Sequence, residues 1–84
     1  MSSQEFKLRK LLEDATFYIK NAEEDETFVT KCNACMDEAE KIILDNPRES
    51  LSKLSPEVIV MYVEVALLTN RRDESASRVT DIFF

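Results

Sequence analysis

The chain has 84 residues, with 17 acidic side chains against 11 basic ones and a net charge of −6. That length is one domain or a piece of one, a single unit over 1–84 with about 4 to 12 kcal/mol of net stability on the usual per-residue scale. The acidic balance has the wrong sign for neutralising nucleic-acid phosphates or adsorbing to an anionic membrane surface, so the expected partners are other protein chains.

The first predicted helix spans about 3–21. Ser2 followed by Glu5 is a capping-box pattern. Leu8, Leu11, Leu12, Ala15, Tyr18, Ile19 and Ala22 then recur at three- and four-residue steps and form one apolar face. Phe6 and Phe17 fall off this stripe, so they either widen it or meet a second neighbour. The acidic run Glu23-Glu24-Asp25-Glu26 breaks the phase and places a turn near 21–24. It reads as the solvated first turn of the next helix, favoured there by the helix dipole, rather than as a calcium or partner site, because oxygen ligands at calcium-loop spacing are missing.

The second predicted helix, about 25–45, carries Phe28, Cys32, Cys35, Ala39 and Ile42 on one stripe, flanked by Val29, Met36 and Ile43. Asn46-Pro47-Arg48-Glu49 signals a new start with Pro at the first helical position, followed by a short connector helix over about 47–53. Ser55-Pro56-Glu57 repeats that signal and opens a third helix over about 56–69. Five β-branched residues in Val58 to Val65 give a strand some claim on this stretch, but no second β-like run exists to pair with it. Asn70 is placed to end this helix in a left-handed conformation, with Arg71 and Arg72 near its negative end. A fourth helix over about 73–83 carries Ala76, Val79, Ile82 and Phe83 inward, and the pattern is still running at Phe84.

The absence of Gly, only two Pro and a charged fraction of 33% agree with this all-α reading. The architecture is antiparallel helical hairpins, about four helices plus the connector. No run of about 18 apolar residues marks a membrane span, and the N-terminus lacks a signal-peptide layout. Two cysteines are too few for a secreted disulfide framework, and a cytoplasmic location is the expectation.

Cys32-Asn33-Ala34-Cys35 is the one string that matches a reactive motif, a dithiol pair or half of a zinc site. Its place inside an apolar helical stripe favours two small core residues over an intermolecular metal or disulfide, and both over catalysis. A zinc site needs about four ligands, and the chain has no His and no further Cys. Asp37, Glu38 and Glu40 are read as a solvated face beside Lys41. Glu64 interrupts the apolar third helix and is expected to point to solvent or to a Lys or Arg of a neighbouring helix. With no Gly-rich loop and no nucleophile–base set, neither catalytic, cofactor nor metal residues are assigned, and no enzyme activity is expected.

Asp37-Glu38-Ala39-Glu40-Lys41-Ile42-Ile43-Leu44-Asp45-Asn46-Pro47 resembles the second helix and closing Asp-x-Pro of a tetratricopeptide repeat. Ala66, Leu67 and Ala76 match the small, larger apolar and small positions that the family packs across a helical hairpin. The first helix lacks the family's Trp and Gly, and residues 23–26 form an insertion, so the likeness is to a degenerate repeat. Ser55-Pro56-Glu57-Val58 through Asp81-Ile82-Phe83-Phe84, about a third of the chain, also resembles an early hairpin of large ciliary scaffolds in the cilia- and flagella-associated group. These resemblances imply a solenoid-type fold, the N-terminal part of a longer repeat protein and an assembly role in the axoneme's central apparatus. Val79, Ile82, Phe83, Phe84, Arg71 and Arg72 are the expected protein-contact residues, Arg71-Arg72 serving equally as a helix-ending turn. The competing reading is a self-contained adaptor that homodimerises through its third and fourth helices.

Overall fold

A computed structural model of the chain describes residues 3–45, 54–70 and 74–83, with side chains from Glu5 onward. Four helices lie among the described residues: α1 (Ser3–Lys20), α2 (Phe28–Asp45), α3 (Pro56–Leu68) and α4 (Glu74–Phe83). The fold is all-α. The connector over 47–53, the Ser2 cap, Arg71, Arg72 and Phe84 lie outside the described residues.

α1 buries Leu8, Leu12 and Ala15 completely, with Leu11, Tyr18 and Ile19 half-buried on either side of that line. Its end is followed by turns over 21–24, but α2 begins at Phe28, three residues later than its acidic first turn predicts. The reason is local. The Asp25 Oδ1 accepts from the Thr27 backbone N–H at 2.8 Å and from the Thr27 hydroxyl at 2.7 Å, closing a side-chain turn that competes with the helix. These two hydrogen bonds, the backbone one first, lower the Asp25 pKa.

α2 runs back along α1, and the two form the main packed pair. Its buried line is Cys32, Met36, Ala39, Glu40 and Ile43, turned by about one residue from the expected stripe; Phe28, Cys35 and Ile42 are half-buried, and Val29 is exposed. α3 packs on α1, and α4 packs on α2. The ion pairs Arg9–Glu57 at 3.3 Å and Lys20–Glu64 at 3.6 Å follow the same order along both helices, so α3 runs parallel to α1.

Ser55 is the N-cap of α3 with extended backbone, φ −70° and ψ 151°, and Pro56 occupies the first turn where its missing N–H costs nothing. The Ser55 hydroxyl makes no cap hydrogen bond of its own. It accepts instead from the Arg9 guanidinium at 3.4 Å, while the Glu5 carboxylate accepts from the Ser55 N–H at 3.3 Å. Two α1 side chains thus pin the start of α3. At the other end Asn70 has φ 55°, the left-handed conformation expected of it, and its N–H reaches the Leu67 carbonyl at 3.2 Å.

The core joins Leu8, Leu12 and Ala15 to the α2 line, to Val58, Tyr62 and Val65 of α3 and to Val79 of α4. Within it sits one acid. Glu40 is 1% exposed, and its Oε2 accepts a 2.6 Å hydrogen bond from the Tyr62 hydroxyl, also 1% exposed. This overturns the reading of Glu40 as part of a solvated face. Asp37, Glu38 and Lys41 are exposed as expected, and Lys7 reaches Glu38 at 3.6 Å.

Candidate functional site: the outward face of helix α3

α3 has apolar side chains around nearly its whole circumference because two opposite faces are both apolar. Val58, Tyr62 and Val65 recur at steps of four and three and face the core. Pro56, Val60, Val63 and Leu67 recur at steps of four, three and four on the opposite side. At 100° per residue the two series are separated by roughly half a turn, so no single neighbour can cover both. Val60 is 61% exposed and Leu67 76% exposed.

The outward series forms the floor of an open groove of about 520 Å³. Ile59 and Glu64 border it, and the half-buried Phe83 of α4 contributes a wall. Glu64 points where its chemistry requires: it is half-exposed and paired with Lys20. Four aliphatic side chains, one proline and an aromatic ring with one bordering carboxylate make a surface that recognises apolar side chains by fit.

Of the expected contact residues, Phe83 lines this groove and Ile82 is half-buried against the core. Val79 is fully buried and belongs to the core, so it is not available to a partner. The groove's main lining, Val60, Val63 and Leu67, is not among the contact residues expected from the sequence, although the competing reading puts a contact surface on the third and fourth helices and the second four-three-four series in Pro56 to Leu67 is its signature.

The cysteines are separate from the groove. Cys32 is buried, Cys35 is half-buried and neither is in a disulfide. Burial is the main cause that raises the Cys35 pKa, reinforced by the Asp14 and Glu38 carboxylates, so the thiolate is disfavoured. Among the described residues, no group of three or more His, Cys, Asp or Glu side chains is placed to hold a metal ion. None of the described helices is long and apolar enough to cross a membrane.

An aromatic cluster of the half-buried Tyr18 and Phe28 with the exposed Phe17 closes the α1–α2 turn. Tyr18 and Phe28 have ring centroids 5.1 Å apart, Phe17 lies 5.9 Å from Phe28, and the Lys31 ammonium sits 5.5 Å from the Phe28 centroid. Phe17 therefore meets a second neighbour, and the cluster satisfies itself. Phe6 remains exposed on α1.

Comparisons of the chain with protein-family models, with curated proteins and with solved structures give no match.

Proposed function

We propose that this chain is a protein–protein interaction unit that docks an α-helix of another chain in the groove on α3. The observation that carries the reading is the second apolar face of α3, opposite the first and open to solvent over Val60 and Leu67. Leaving such a face in water is unfavourable by roughly 25 cal/mol per Å² of apolar surface, and a partner that covers it recovers that amount. The role is assembly by helix packing rather than chemistry.

A repeat-like scaffold is the architectural form of the same proposal. The packing of α1 on α3 and of α2 on α4 is compatible with stacked helical hairpins, in which a further helix would lie on the outward side of α3. The ciliary setting rests on the resemblance of residues 55–84 alone.

A photoreactive residue at position 67, compared with one at the exposed Lys41, tests the reading in the cells that express the protein. The expected result is a discrete protein adduct from position 67 and none from position 41. Equal labelling from both positions, or none from either, would contradict it.

A further inference from the structure

The spacing and the flanks of the groove narrow its occupant, an inference that rests on the docking reading above. Pro56, Val60, Val63 and Leu67 follow the four-three alternation of a heptad seam, the pattern that keeps one helix facing another over several turns. The seam is about 16 Å long at the helical rise, roughly one and a half heptads, and offers a partner four seam positions. Glu57 and Glu64 stand one heptad apart beside it, each next to a seam residue, at the positions whose charge selects partners in coiled coils.

Both carboxylates reach solvent. Glu57 is 71% exposed at its side chain and Glu64 51%. Each meets one cation of α1, Arg9 at 3.3 Å and Lys20 at 3.6 Å. These separations are long for a charge-assisted hydrogen bond and leave acceptor capacity on the carboxylates.

We propose that the groove on α3 takes an amphipathic α-helix of a different protein, with apolar side chains at heptad spacing and Lys or Arg flanking them opposite Glu57 and Glu64. A second copy of this chain is the poorer occupant. It would bring a further net −6, and an antiparallel pairing would set Glu57 and Glu64 against the same two carboxylates of the copy. A basic helix meets a chain of opposite net charge, which speeds encounter, and its cations can share Glu57 and Glu64 with Arg9 and Lys20.

The test uses the full chain and three synthetic helical peptides of about three heptads, with binding followed by calorimetry. One has Leu at the seam positions and Lys at the flanks, the second has Glu at the flanks, and the third has the Lys-peptide composition with its heptad order scrambled. The Lys peptide is expected to bind about tenfold or more tightly than the Glu peptide, with the scrambled peptide silent. The variant Glu57→Lys with Glu64→Lys is expected to reverse that preference, and Leu67→Asp to abolish binding of both.

Equal binding of the Lys and Glu peptides, with both lost in Leu67→Asp, would overturn the charge selectivity and leave the groove as a docking site. Peptide binding unaffected by Leu67→Asp would overturn both readings. Binding of the scrambled peptide as tightly as the ordered one would reduce the interaction to net charge and overturn the proposal. A concentration-dependent dimer of the chain that excludes the Lys peptide and is dissolved by Leu67→Asp would assign the groove to a second copy and overturn it as well.

Discussion

The Tyr62 hydroxyl donates a 2.6 Å hydrogen bond to the Glu40 carboxylate where both side chains are 1% exposed, so α3 is tied to α2 by a buried polar contact. Tyr62→Phe leaves the Glu40 carboxylate with one donor fewer and is expected to lower stability by about 1–3 kcal/mol in urea unfolding. The double variant Tyr62→Phe with Glu40→Met removes both partners of the bond and is expected to be more stable than Tyr62→Phe alone. Strictly additive losses would mean that the contact carries no coupling.

The two faces of α3 and α1 make opposite demands on truncation. Leu12, fully buried, is expected to lose about 2–5 kcal/mol on substitution by Ala through lost burial and the cavity left behind. Leu67→Ala, at the exposed face, is expected to stay within about 0.5 kcal/mol of wild type. A large destabilisation by Leu67→Ala in the isolated chain would show that the outward face is already covered.

How far these features were legible in the sequence depended on how local their causes are. Ser55-Pro56 and Asn70 act on their own backbone, and they marked the ends of α3 correctly within one residue. Asp25 and Thr27 also act locally, but their side-chain turn looked like ordinary helix-start composition, so the start of α2 was placed three residues early. Glu40 was misplaced because its charge and its neighbours Asp37, Glu38 and Lys41 suggested solvent. Its position, four residues after Met36 and three before Ile43, puts it on the buried line, and only a tertiary partner such as Tyr62 makes that tolerable. That α3 keeps an uncovered apolar face is legible in its all-round apolar sequence, but which series faces outward is not, because no polar residues mark the side away from the core.

Asn70 holds a left-handed backbone that β-branched side chains resist. Asn70→Val is expected to lower stability by about 1–2 kcal/mol, whereas Asn70→Gly should match or exceed wild type. Equal stability of the two variants would mean that the end of α3 is free to rearrange.

Burial keeps Cys35 protonated above the pH at which an ordinary thiol ionises. In a disulfide-exchange assay against pH, its reaction should run more slowly in the folded chain than in denaturant and should rise with pH toward the denatured rate. Because the folded pKa is raised, the associated stability is fully present below the unfolded thiol pKa and is lost as pH rises through the folded value. A thiol that reacted as fast folded as unfolded at neutral pH would contradict this.

Methyl chemical-shift mapping during titration of the Lys-flanked heptad peptide into the full chain tests the docking face most directly. The expected result is a saturable perturbation concentrated on the Val60, Val63 and Leu67 methyls, with those of Val58 and Val65 on the core side nearly unmoved. Shifts centred instead on the core-side methyls or on the Phe17, Tyr18 and Phe28 cluster, with Val60 and Leu67 unchanged, would contradict it.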